Sequence, residues 1–255
     1  MKLDRAKQHL GELEQALKSF YDTKPYRFSG KSNLATRIVV YSMDSVTPVP
    51  EEIPLIAGDI IQNLRSALDH LAYQLYLRGG GSAETGRHIY FPICESKTVY
   101  EDKKRRQTRG MTQQAIAAID AVQPYKGGND VLWRLSELNN IDKHRLIFTV
   151  GSGVRSLDLG SYMQQHAPPG SLLSQAQGLS AFFKPKNNDY PLEIGTVIFA
   201  DQTTTEVKKL NMRFEVVLYE KEIIEGVSLL EAMREMASAV EKVATDFQPL
   251  LRHLA

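Results

Sequence analysis

The run from Glu52 to Leu77, EIPLIAGDIIQNLRSALDHLAYQLYL, keeps a helical period for 26 residues and carries two kinds of side chain on separate faces. At 100° per residue, Ile53, Ile56, Ile60, Leu64, Ala67, Leu68, Leu71 and Leu75 gather on one side and need other elements to cover them. Asp59, Asn63, Ser66 and His70 form an adjacent polar stripe, and Arg65 and Asp69 complete the set. Pro54 suits the first turn, where its missing N–H has no helical partner to lose. RGGGSAETG, residues 78 to 86, stops the helix with three glycines and reads as a mobile loop.

Other helices flank this one. Leu3, Ala6, Leu10, Leu13, Leu17 and Phe20 predict an amphipathic helix over residues 2 to 20, with a charged start that does not resemble a signal peptide. Shorter helical patterns cover Thr112 to Val122 and about Asp130 to Arg145, with QPYKGG as the turn between them. The character then changes. LIFTV (146 to 150), LSAFF (179 to 183), LEIGTVIF (192 to 199) and MRFEVVLYE (212 to 220) read as strands, as does TRIVVYSM (36 to 43) earlier in the chain. Met212, Phe214, Val216 and Leu218 alternate with their neighbours, the pattern of an antiparallel sheet with one face on a core. Ser228 to Glu231 forms a capping box, and Met233, Met236, Val240, Val243 and Phe247 line the inner face of a closing helix. The expected fold is α+β: a helical layer, a C-terminal antiparallel sheet and a C-terminal helix, in one domain of 255 residues. The alternative division is a helical part over 1 to 145 and a strand-rich part over 146 to 255.

With 31 basic and 30 acidic residues, the chain as a whole has no field to attract a polyanion. A nucleic-acid contact would have to be local, and EDKKRRQTRG, residues 101 to 110, is the candidate, with Lys103, Lys104, Arg105, Arg106 and Arg109. Its plainer reading is a solvated loop or short exposed helix. Cys94 is the one cysteine, so neither an intramolecular disulfide nor a cysteine-based zinc cluster can form within a chain, which fits a reducing cytoplasm. No run approaches the roughly 20 apolar residues of a membrane span. GSGV at 151 to 154 lacks the third glycine of a dinucleotide fingerprint and the lysine of a phosphate loop. Trp133, Tyr73 and Tyr76 are expected in the core or along a groove wall. No cofactor is expected.

Arg65 and His70, in RSALDH, are spaced like the R-x4–6-H signature and resemble the HEPN family, helical domains many of which are metal-independent RNA endonucleases. The resemblance implies that Arg65 stabilises charge on the phosphate while His70 moves the proton, with RNA as substrate and a homodimer assembling the site. Asn63 and Asp69 would support them, as would His144, Asp142 and Arg145 from NNIDKHR (139 to 145). Lys103, Lys104, Arg105 and Arg106 would bind the backbone. A wider pattern, GDIIQNLRSALDHLAYQL with FPI (91 to 93), QPY (123 to 125) and NIDKHR (140 to 145), is similar to an uncharacterised bacterial protein family and brings no activity with it.

Two other classes stay open. In the first, a non-catalytic protein binds a partner or ligand, Asp142 and Arg145 form an ion pair, and His144 serves the C-terminal helix dipole. In the second, a metal-dependent hydrolase uses His70 and His144 with Asp59, Asp69 or Asp142. A nuclease would open Arg65 and His70 onto one groove near Lys104 and Arg105. A binding protein would satisfy them internally, His70 by Asp142 and Arg65 by a carboxylate.

Overall fold

A computed structural model describes residues 1–145, 150–175, 182–183, 191–202 and 204–252. The first helix, α1 (Lys2–Asp22), buries Ala6, Leu13, Leu17 and Phe20, as its period requires. A hairpin of β1 (Tyr26–Asn33) and β2 (Ile38–Val46) follows, and then the long helix α2 (Glu52–Arg78). Beyond it come a 3-10 turn (Gly86–His88), α3 (Lys97–Gln107), α4 (Gln113–Val122) and α5 (Asp130–Arg145). The second half contributes β3 (Val150–Asp158), α6 (Leu159–His166), α7 (Leu172–Gln175), β4 (Phe182–Phe183), β5 (Val197–Asp201), β6 (Met212–Glu220), β7 (Ile224–Ser228) and α8 (Leu229–Arg252).

The architecture is α+β, and all strand pairings among the described residues are antiparallel. The strands form two sheets, where one C-terminal sheet was expected: β1-β2-β5, and β4-β3-β6-β7. The first joins the two halves of the chain, because β5 pairs with β2, Tyr41 opposite Phe199. Residues 192 to 199 yield only the short β5, and most of the predicted strand is loop. Residues 146–149 and 179–181, also read as strand, lie outside the described residues. GSGV falls inside β3, where Gly151 runs so close to Pro191 that a Cβ would sit 2.8 Å from that ring.

The main core surrounds α2, whose Ile53, Ile60, Ile61, Leu64 and Leu68 are fully buried against α1, α5 and α8. At about 25 cal/mol per Å2 of buried apolar surface, each such side chain stabilises the fold by about 1.5–3 kcal/mol relative to exposure. Helix α8 closes the layer with Met233, Met236, Val240 and Phe247, and the Ser228 hydroxyl ahead of it accepts from the Glu231 N–H at 3.5 Å. A smaller cluster of Val39, Tyr41, Leu157 and Tyr162 binds the first sheet to β3 and α6. There the buried Tyr162 hydroxyl donates to Asp201 at 3.0 Å.

Candidate functional site

Arg65 and Asp69 lie one helical turn apart on α2, so their side chains meet. Arg65 Nη2 is 2.9 Å from Asp69 Oδ1, and the same nitrogen donates to the Phe91 carbonyl at 2.9 Å. The Phe91 N–H donates to Asp69 Oδ1 at 3.0 Å. One acid and one base thus satisfy both main-chain groups of a single residue, whose fully buried ring packs edge-on against Phe247, with centroids 6.3 Å apart. Burial pulls the Arg65 pKa down while Asp69 pulls it back up, and only 13% of its side chain remains accessible. Arg65 Nη1 is sealed in without a hydrogen-bond partner. The pair acts as a clamp that seats the segment after the glycine loop.

His70 does not share this environment. Five positions turn a regular helix by about 140°, and His70 stands exposed to solvent while Arg65 faces inward. The expected His70–Asp142 contact is absent, because the Asp142 carboxylate lies beside Gly58, 2.8 Å from where a Cβ would project. Gly58 precedes His70 by twelve residues, about 18 Å of helix at 1.5 Å per residue. Asn63 is half-buried and donates to the Asp59 carbonyl at 2.7 Å, and Asp59 is exposed. The side chains of His144 and Arg145 lie outside the described residues. Among the described residues, no group of three or more His, Cys, Asp or Glu side chains has the arrangement of a metal site.

The FPI and QPY segments meet through main-chain bonds. Cys94 N–H donates to the Pro124 carbonyl at 2.9 Å, and the Lys126 N–H donates to Cys94 O at 3.2 Å. Cys94 itself is buried, and burial pushes its thiol pKa up, away from the reactive thiolate. Lys126 sits 4.3 Å from the centroid of the buried Trp133 ring.

The basic run forms α3, started by the Ser96 hydroxyl, which accepts from the Val99 N–H. Lys104 is drawn inward to Glu101 at 2.9 Å and Asp120 at 3.0 Å, and Asp120 also accepts from the Tyr100 hydroxyl at 2.7 Å. Lys103, Arg105 and Arg106 are exposed. They do not act together: Lys104 is internally neutralised, whereas Arg106 turns toward a cleft of about 720 Å3 between the C-terminal ends of α2 and α3.

This cleft was not expected from the sequence. One wall is the glycine loop, which the buried Tyr76 ties down: its hydroxyl is hydrogen-bonded to Thr85 Oγ1 and accepts from the Ser82 N–H at 3.2 Å. A Cβ on Gly81 would overlap the Tyr76 ring, and one on Gly79 would come within 1.9 Å of the Gly110 carbonyl. The glycines therefore let two chain segments and a tyrosine ring close on one another, so the loop read as mobile is pinned. Its amides are engaged: Gly79, Gly80 and Gly81 donate to carbonyls of the last turn of α2.

With the three glycine amides used, the charged groups offered to a ligand are side chains. Arg106, Arg109 and His88 line the cleft beside the exposed Tyr90 ring, and no Asp or Glu does so among the described residues. Among the described residues, neither arginine nor His88 has a side-chain ion pair or hydrogen bond there. Arg106 lies in the last turn of α3, where the helix dipole favours a cation. Arg109 follows the cap, and His88 belongs to the 3-10 turn, so the dipole accounts for neither. The local charge was readable: residues 76 to 110 hold eight Lys or Arg against four Asp or Glu, in a chain whose net charge is +1. By contrast, the groove of about 640 Å3 between α1 and the start of α2 has Glu12 and Glu52 on its walls and no cation.

An α+β helical layer with an acid-free cleft at the ends of two helices is the class of molecule these features define. Compared with known proteins, the chain matches no family model, no curated protein and no solved structure. No helix among the described residues is long and apolar enough to cross a membrane.

Proposed function

We propose that this chain is a non-catalytic binding protein that holds a small anionic ligand in the cleft between the glycine loop and the end of α3. The observation that carries the reading is the pair of cations, Arg106 and Arg109, with His88 beside them, on one preformed concave surface without a neutralising carboxylate. The arrangement of α2 supports it as well. Arg65 Nη2 is held by Asp69 and the Phe91 carbonyl and its unpartnered Nη1 is sealed from solvent, so it presents no accessible fork to a scissile phosphate beside His70, as the composite HEPN-type site requires.

The test is thermal unfolding with sodium benzoate, citrate or phosphate at constant ionic strength, for the wild type and an Arg106→Ala/Arg109→Ala double variant. The expected result is a saturable rise in melting temperature for at least one anion that the double variant loses. Failure of all three probes to stabilise the wild type in an arginine-dependent way rejects the reading.

A further inference from the structure

Resting on the reading of this cleft as an anion site, we infer that its ligand is a phosphate monoester, with the phosphate held by Arg106 and Arg109 and the organic group lying along Tyr90 and Ile89. The charge supports a dianion. One arginine fork is enough for a carboxylate, whereas two arginines and a histidine facing one space without an acid suit a group carrying up to two charges and three terminal oxygens. The size supports an ester over the free ion. About 720 Å3 falls in the range of small-molecule sites and far exceeds what four oxygens around phosphorus fill.

The walls are differentiated to match. Ile89 is buried beneath the surface and the Tyr90 ring is 47% exposed, which gives an apolar side for the organic group. On the opposite loop the exposed Ser82 hydroxyl, 3.0 Å from Thr85 Oγ1, retains hydrogen-bonding capacity beyond that bond, whereas Thr85 Oγ1 is also engaged by Tyr76 and the Ser82 carbonyl. The three glycines contribute no phosphate cradle, since the Gly79, Gly80 and Gly81 amides are spent on α2 and the Ser82 amide on Tyr76. Recognition therefore rests on side chains, and substituting them should remove it while leaving the fold intact. Two sources supply this chemistry: a free phosphorylated metabolite and the 5′-terminal phosphate of a nucleic acid.

Isothermal titration calorimetry decides the matter, using phenyl phosphate, benzoate, phenol and sulfate, and an oligoribonucleotide with and without its 5′-phosphate. The proteins are the wild type, Arg106→Ala and Arg109→Ala, with circular dichroism confirming each fold. Phenyl phosphate is expected to bind at one site, more tightly than benzoate or sulfate. Either alanine should weaken it about tenfold, the scale of one lost charge-assisted contact. Phenol should give no heat. Binding of the oligonucleotide only when phosphorylated also supports the assignment and identifies an RNA end as the source. Arginine-dependent binding of benzoate or sulfate as tight as that of phenyl phosphate overturns the ester but leaves the anion cleft standing. Oligonucleotide binding that is indifferent to the 5′-phosphate yet lost in the arginine variants overturns it in favour of backbone contact. Absence of arginine-dependent binding by every probe overturns both the ester and the cleft.

Discussion

Replacing Arg65 by alanine should act on stability first, with a magnitude set by the clamp. The substitution removes the 2.9 Å contacts to Asp69 and to the Phe91 carbonyl and leaves both acceptors poorly solvated. Removing one partner of a buried ion pair costs about 3–5 kcal/mol. The Asp69 side chain is 24% exposed and water can partly replace the guanidinium, which lowers the expectation to about 2–4 kcal/mol. For a domain of this size each kcal/mol moves the melting temperature by about 2–4 °C, so a loss near 3 kcal/mol corresponds to a drop of about 6–12 °C. Scanning fluorimetry and urea unfolding measure it. A double-mutant cycle with Asp69→Ala should return a coupling of about 1–3 kcal/mol. His70→Ala, at an exposed position, should stay within about 0.5 kcal/mol of wild type. The same variants are assayed for cleavage of a mixed-sequence RNA in EDTA, and none is expected. The clamp is refuted if Arg65→Ala melts within about 2 °C of a wild type that cleaves RNA, while the folded Arg65→Ala and His70→Ala variants have lost cleavage. That pattern would make Arg65 and His70 a catalytic pair.

Two further outcomes test the surroundings. Gly79→Ala places a methyl group 1.9 Å from the Gly110 carbonyl, a main-chain atom that cannot turn aside. The variant should lose about 1–3 kcal/mol in urea unfolding, together with the anion-induced melting shift, and an unchanged midpoint would refute the close approach. The Asp120 carboxyl is pushed up by burial but brought below the usual range by the Tyr100 hydroxyl and the Lys104 ammonium, which outweigh it. A depressed folded-state pKa gives stability that is present above the unfolded value of about 3.9 and lost as pH falls through the folded one. The melting advantage of wild type over Asp120→Asn should therefore be constant above about pH 5 and close below about pH 4, and an advantage that widens on acidification would contradict the sign.

The helical elements were legible because their apolar side chains recur at 3.6 residues: α1, α2, α4, α5 and α8 lie where Leu13, Leu64, Ile119, Leu135 and Val240 place them. Strands were harder to place. The edge strand β1, YRFSGKSN, contains a glycine, charges and serines and shows no alternation. Pairing with β2 holds it in the sheet, and that pairing comes from a neighbour absent from any local window. At the site, Arg65 and Asp69 stood out as polar residues on an apolar helix, but their partner is the main chain of Phe91, 26 and 22 residues away. No side-chain pattern announces a bond to a peptide group.

Taken alone, the sequence determined the α+β class, the apolar and polar faces of α2 and the concentration of positive charge between residues 76 and 110, because periodicity and charge are local properties of the chain. Tertiary structure decided how those charges are used. Lys104 is withdrawn to Asp120 of α4 and Arg65 to Phe91, while Arg106 of α3 and Arg109 beyond its cap meet on a single cleft. Whether a cation is neutralised or free depends on which group folds against it, and that neighbour lies up to 26 positions away along the chain.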